Sequence, residues 1–188
     1  MGPRSRRTTH APRLPCATLG RIRISITMNE AALRRAGPKD AESIVHLVNV
    51  AFRSERFFID EDRVDLEKVR ALLAQGEFLL VEEEGRLAGC VYVELRGERG
   101  YFGLLAVDPA KQRAGMGSKL MTAAEERCRA AGCRFMDLTI VNLRKELPRF
   151  YSARGYVESG TEPFPAAARA KMPCHLVRMT KDLGGSSG

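Results

Sequence analysis

Residues 101–118 constrain this chain more than any other stretch. Tyr101-Phe-Gly-Leu-Leu-Ala-Val107 is an apolar, β-rich run closed by Asp108-Pro109, where proline has no N–H to give to a ladder. Gln112-Arg113-Ala114-Gly115-Met116-Gly117 follows, a glycine-bearing loop that passes at Ser118 into an amphipathic segment. Strand, loop and helix start in this order leave unpaired backbone N–H groups at the positive end of a helix, a ready site for a phosphate or pyrophosphate. Two familiar phosphate loops do not fit. The dinucleotide fingerprint needs a third glycine where Leu120 stands, and a Walker loop needs Gly-Lys-Ser/Thr where the chain has Gly117-Ser118-Lys119.

The elements around this segment read as a mixed α/β domain. A short strand at residues 31–36 precedes a helix opened by Gly37-Pro38-Lys39-Asp40, with proline in the first turn and Asp40 at the positive helix end. Ile44, Val45, Val48, Ala51 and Phe52 share one face of it, and His46 points to the other. A second helix is expected over residues 62–74, with Leu66, Val69 and Leu73 inward. Phe57-Phe58-Ile59, in the link between the two helices, either folds back onto the core or lines a cleft. Two β-rich runs flank Glu83-Glu84-Gly85-Arg86 as a hairpin, and a turn at residues 97–100 adds residues 101–107 to an antiparallel meander.

From Ser118 a helix runs to Ala131. Leu120, Met121, Ala124, Cys128 and Ala131 form its apolar stripe, Glu125 lies away from it, and Gly132 ends the helix. The strand at residues 134–141 follows a helix and so lies parallel to the strand before that helix. Asn142 is expected to cap a helix running to about Arg154, which Pro148 shortens or kinks. A short strand at residues 155–159, an irregular stretch at 160–173 and a last strand from His175 complete the chain.

Composition narrows the function. The net charge of +8 suggests nucleic acid until it is located: residues 1–29 carry six Arg and no acid, leaving 25 basic against 23 acidic residues elsewhere. The body is nearly neutral, so nucleic acid is not an expected partner. No apolar run approaches the roughly 18–20 residues that span a membrane. Five cysteines without a C-x-x-C pair and three scattered histidines give no metal-site spacing, and reduced thiols point to the cytoplasm. The Arg-rich head, residues 1–29, reads as a disordered extension or, alternatively, as an organellar transit peptide; a domain fills residues 30–183, and residues 184–188 are a flexible tail.

Residues 31–182 resemble the GNAT superfamily of acyl-CoA-dependent N-acetyltransferases. Leu105-Ala-Val-Asp-Pro109, the Gln112–Gly117 loop, Asn142 and Phe150-Tyr-Ser-Ala-Arg-Gly-Tyr156 carry the resemblance. It implies a mostly antiparallel central sheet of six to seven strands, flanking helices and a parallel pair that splays at the cofactor site. It implies acetyl-CoA as acyl donor, with no metal, and a small-molecule or peptide amine as acceptor; a homodimer is left open. Backbone at Leu105, Ala106 and Val107 would pair with pantetheine, and an N–H there would meet the thioester oxygen. Amides of Gln112, Arg113, Ala114, Gly115, Met116, Gly117 and Ser118 would hold the pyrophosphate. Asn142 would cap its helix or bond the cofactor. Tyr151 would be the general acid that protonates the departing thiolate, its alternative being a core tyrosine.

The general base is open. Relatives place Glu or His on the strand where this chain has Tyr101, Phe102, Gly103 and Leu104; Glu94, Glu98, Asp137 and His175 are substitutes to consider. A non-catalytic acyl-CoA-binding module is therefore the competing reading. Residues 53–60 and 160–173 would wall the acceptor site, where Arg169 and Lys171 hint at an anionic acceptor or are simply solvated.

Overall fold

The meander closes through two-residue turns. In the computed structural model of the protein, residues 32–112, 115–165 and 169–184 are described, and Glu84 and Gly85 sit at φ 53° and 73°, the left-handed pair that a tight hairpin requires. The expectations for residues 1–29, for Arg113 and Ala114 and for residues 185–188 lie outside these segments. Strands β2 (Glu77–Glu83), β3 (Arg86–Arg96) and β4 (Arg99–Val107) form the meander, with β1 (Ala32–Arg35) antiparallel along β2. Strands β5 (Phe135–Val141), β6 (Val157–Pro163) and β7 (His175–Asp182) complete a seven-stranded sheet in the order β1-β2-β3-β4-β5-β7-β6. Every neighbouring pair is antiparallel except β4 and β5.

Helices cover both faces. On one, α1 (Ala41–Ala51) and α2 (Leu66–Gln75) bury Ile44, Leu47, Val48 and Val69 against Phe78, Leu80 and Tyr92. On the other, α3 (Met116–Ala130) and α4 (Glu146–Ser152) pack Leu120, Met121, Ala124, Cys128 and Tyr151 against Phe102, Met136 and Leu138. Gly100 makes the approach of α3 possible: a Cβ there would lie 2.3 Å from Cys128 Sγ and 2.9 Å from Met136 Sδ.

Several boundaries differ from the sequence reading, each for a local reason. Helix α2 starts after Asp65, whose carboxylate accepts the Lys68 N–H at 2.7 Å, so the cap and not the charge run at residues 60–62 sets its start. Asn142 does not cap α4. Pro148 is the third residue of α4, within the first turn, where no N–H is needed; the helix therefore begins at Glu146 and not at Asn142. Asn142 instead joins β5 to β7: its N–H donates to the His175 carbonyl and its Oδ1 accepts the His175 N–H, both at 3.0 Å. Glu125 is buried, not solvated, because Tyr156 Oη (2.9 Å), Lys181 Nζ (2.9 and 2.8 Å to its two oxygens) and Arg129 (3.3 Å) surround its carboxylate. β6 runs on to Pro163, into what reads as irregular chain.

The start of α1 is anchored to β1. Arg34 donates to both Asp40 oxygens at 2.9 and 2.8 Å, and the Gly37 N–H donates to Asp40 Oδ2 at 2.7 Å. The Arg34 hydrogen bonds, against the opposing effect of burial and with help from Gly37, hold the Asp40 carboxyl at about 2. A depressed carboxylate contributes stability that is complete above its unfolded value of 3.8 and lost as the pH falls toward about 2. Asp40→Asn is expected to cost about 1–2 kcal/mol near neutral pH, discounted because Arg34 is partly exposed. Urea unfolding checks this: the gap between variant and wild type closes as pH falls toward 2, and a pH-independent gap excludes the linkage.

Candidate functional site

Strands β4 and β5 part company early. Their parallel ladder joins Arg99, Gly100 and Tyr101 to Phe135, Met136 and Asp137, and it ends there. Beyond it, β4 keeps its antiparallel partner β3 on one edge and turns an unpaired edge toward β5. A bulge widens the break: Tyr92 faces Gly103 and Cys90 faces Ala106, so Leu104 and Leu105 together oppose Val91. Leu104 takes φ 48°, a left-handed conformation that costs a leucine of order 1 kcal/mol and that neighbouring structure must hold in place. The extra residue resets the alternation. Tyr101 and Leu104 pack toward α1, whereas Phe102, Leu105 and Val107 pack toward α3.

A cleft of about 1580 Å³ enters this gap. One arm reaches the turn between β4 and α3. Asp108 accepts the Ala110 N–H at 3.0 Å, Pro109–Lys111 forms a 3-10 turn, and Gln112 Nε2 reaches back to the Val107 carbonyl at 3.4 Å. Gly115 precedes α3 at φ 75°, and among the described residues, its chain neighbours aside, no atom lies within 4 Å of where its Cβ would be. Leu105, Val107, Gln112, Gly115, Met116, Gly117 and Ser118 all line this arm, whereas Ala106 is buried beneath it. Arg154 stands opposite, donating to Ser118 Oγ at 3.0 Å and to the Phe150 carbonyl at 2.8 Å, with its guanidinium 3.7 Å from the Phe150 ring centroid.

Tyr151 lies between the arms. It is 7% exposed, and Phe102, Phe150 and Tyr156 pack around its ring with centroids at 6.1, 5.1 and 6.0 Å. Burial pushes its phenol up to about 12, against the pull of Arg144 and Arg154, so it is protonated at neutral pH. Asn142 is not on the cleft wall; its carboxamide oxygen serves β7, as described above.

The other arm is walled by the link between α1 and α2. Phe58 is fully buried against Phe164 (5.9 Å between centroids), Ile59 lines the cleft, and Phe57 is 47% exposed, so the three apolar residues divide between core, cleft and surface. Two loops close over this end. Lys171 donates its N–H to the Phe58 carbonyl at 2.8 Å and pairs with Asp60 at 2.6 Å, and Arg169 pairs with Glu61 at 2.8 Å. Their cations are thereby matched by acidic partners rather than turned to an acceptor.

The candidate bases separate cleanly. Glu94 is on the cleft wall, but Arg96 forks onto it at 2.8 and 2.9 Å and holds it below the ordinary carboxylate range. Glu98 sits exposed in the β3–β4 turn and His175 exposed at the start of β7, both away from the wall. Burial would raise Asp137, yet hydrogen bonds from Arg99 and Thr180 outweigh it and leave the carboxyl lowered, also off the wall. Sequence reasoning missed Glu55, which is on the wall and 6% exposed. Burial raises its carboxyl above the ordinary value; Arg63 and Arg144 pull it down less strongly, and Glu146 adds to the rise. Its one sign in the sequence was an acidic residue within Arg53-Ser-Glu-Arg56, beside the apolar link.

Among the described residues no group of three or more His, Cys, Asp or Glu could hold a metal ion, and no helix is long and apolar enough to cross a membrane. No curated protein matches the chain in sequence. Solved structures share the fold at low identity. The ribosomal-protein-S18-alanine N-acetyltransferase from Escherichia coli superposes with a TM-score of 0.68 at 14% identity, over 84% of this chain and 97% of that one. Ard1 from Thermoplasma volcanium gives 0.68 at 20% identity, over 81% and 97%. YncA from Salmonella typhimurium, solved with its cofactor acetyl-CoA, gives 0.65 at 20% identity, over 85% and 98%. The family model described as the acetyltransferase (GNAT) family matches residues 41–156, more than half of the chain, and the protein belongs to that family.

Proposed function

We propose that this protein transfers an acetyl group from acetyl-CoA to a primary amine by direct attack within a ternary complex. The observation that carries this reading is the parting of β4 from β5, which opens a cleft between a helix N-terminus and a buried tyrosine. The acyl donor supplies an activated thioester, and the residues present suit it. The edge of β4 that faces away from β3, at Leu105, Ala106 and Val107, has no strand partner and offers an extended edge to the amides of a pantetheine arm and a donor to the reacting carbonyl oxygen. The start of α3 offers N–H groups to the pyrophosphate, with open space over Gly115 and the Arg154 guanidinium nearby. Gln112, Met116, Gly117 and Ser118 complete that cradle, and Asn142 acts through the β5–β7 edge.

Tyr151 donates a hydrogen bond to the sulfur as the C–S bond breaks. A thiol titrates near ~8.5, well below a phenol at about 12, so Tyr151 releases its proton only as the second N–H proton of the attacking nitrogen reaches it, and it ends the turnover protonated. Glu55 takes the amine's proton. An alkyl ammonium near ~10.4 is charged at neutral pH, and a carboxylate raised by burial is better matched to accept its proton than Glu94, which Arg96 holds low.

Three measurements check these roles. Tyr151→Phe is expected to slow thiol release over a panel of primary amines by about 100-fold and leave acetyl-CoA affinity within about twofold; an unchanged rate removes Tyr151 from the chemistry. Gly115→Asp is expected to weaken acetyl-CoA binding by at least about 100-fold, because it places a carboxylate over the phosphate cradle, with a stability cost of only about 1 kcal/mol. Calorimetry giving wild-type affinity would move the cradle elsewhere. For Glu55 the wild-type rate rises with pH through a value above the ordinary ~4.3 of a glutamate, since the group must be ionised to act. Glu55→Gln loses that limb together with about 100-fold in kcat, and a variant that keeps the full pH profile assigns the base to another group.

A further inference from the structure

Several charged pairs around the acceptor arm are close. Arg96 forks onto Glu94 at 2.8 and 2.9 Å, Arg56 pairs with Asp62 at 2.7 Å, and Arg169 with Glu61 at 2.8 Å. Glu55 is shared by two arginines and held closely by neither: Arg144 lies at 3.4 Å and Arg63 at 4.0 Å. Arg63 rests over the Phe52 ring at 5.3 Å, and its Nε is buried with no hydrogen-bond partner among the described residues. Arg144 turns its Nε outward to Glu146 at 2.5 Å and its Nη1 inward, to Ser54 Oγ at 3.2 Å and to Glu55. One buried carboxylate thus stands between two guanidiniums on the cleft wall; Glu146 balances Arg144 from outside, and among the described residues Arg63 has no acidic partner nearer than 4.0 Å.

We propose that the acceptor is an α-amino acid, its ammonium against Glu55 and its carboxylate against Arg63 and Arg144. This rests on the reading of the cleft as an acetyl-transfer site and names the substrate class that it takes. The placement follows from charge. An amine with no anion would leave Arg63 without a close partner, and more so once Glu55 has taken the amine's proton, when the two guanidiniums share only Glu146, which Arg144 holds. A carboxylate one carbon from the amine supplies the missing charge. Because both arginines already lie within 4.0 Å of the same carboxylate, a second carboxylate beside it comes within reach of both. Guanidinium forks suit that geometry better than ammonium groups do.

The test uses the full chain, acetyl-CoA and α-amino acids paired with their own amides, which keep the side chain and the amine and lose only the anion. Thiol release is expected to give kcat/KM roughly 10- to 100-fold higher for the acids than for their amides. Arg63→Gln and Arg144→Gln each bring that ratio to within about threefold of 1, chiefly through KM for the acid, while calorimetric affinity for acetyl-CoA stays at the wild-type value. Arg63→Lys and Arg144→Lys, which keep the charge without the fork, fall between. Titration of the best acid into the protein with CoA bound reports the same loss without turnover. Amides turned over as well as acids overturn the proposal, as does a ratio unmoved by both Gln variants, or turnover confined to polyamines or peptide N-termini. Turnover of no amine at all, with acetyl-CoA bound, overturns it too and leaves the cofactor site standing; failure to bind acetyl-CoA removes the earlier reading and this one together.

Discussion

Three residue pairs hold β4 to β5, and the rest of the site depends on how few they are. A parallel pair that continued beyond Tyr101 would satisfy the β4 backbone within the sheet and close the cleft. Because it stops, β4 keeps an unpaired edge in the middle of a sheet, where an exposed edge is normally a liability and an extended ligand is a natural partner. The bulge at Leu104 and Leu105 reinforces the break, turning one leucine to each face of the sheet. The strain at Leu104 is small against the packing on either side of it, which is why the conformation persists.

Three supports keep the gap from collapsing. At its base, Arg99 clamps Asp137, which also accepts from Thr180, so β4, β5 and β7 are joined where the ladder ends. A little further along, the Tyr101 hydroxyl meets Thr139 Oγ1 at 3.3 Å across the opening, and Arg96 lies over the Tyr101 ring at 4.3 Å. On the helical side, the buried Glu125 takes hydrogen bonds from Tyr156 and Lys181 and so ties α3 to β7 and to the residue that leads into β6. With α3 held there and against Gly100, its N-terminus is fixed at the mouth of the gap. Tyr151 is set by the same packing, since Phe102 and Tyr156 are both its neighbours and parts of that core.

Much of this was legible in the residues. The period-two runs and the Glu84-Gly85 turn wrote the meander; Asp108-Pro109 ended β4; the glycine-bearing loop placed the start of the next helix at Ser118, whereas α3 begins two residues earlier, at Met116, behind the left-handed Gly115. The errors share one cause. Asn142 is a strong capping residue, but whether it caps a helix depends on where the helix starts, and Pro148 together with the pairing of β5 to β7 decided that. Glu125 looked solvated on the helical wheel, and its burial depends on Tyr156 and Lys181, distant in the chain. The bulge at Leu104 has no glycine or proline to mark it.

What the sequence by itself determined is the order of the elements and the loop between β4 and α3, because backbone preferences and apolar periodicity act over a few residues. What only the tertiary structure decided is the chemistry around the gap. Burial and charge set the protonation of Glu55 and Tyr151, and these come from residues far apart in the chain: Arg63 and Arg144 about Glu55, Phe102 and Tyr156 about Tyr151. A titrating group responds to everything within a few ångströms of it, and proximity of that kind exists only after the chain has folded.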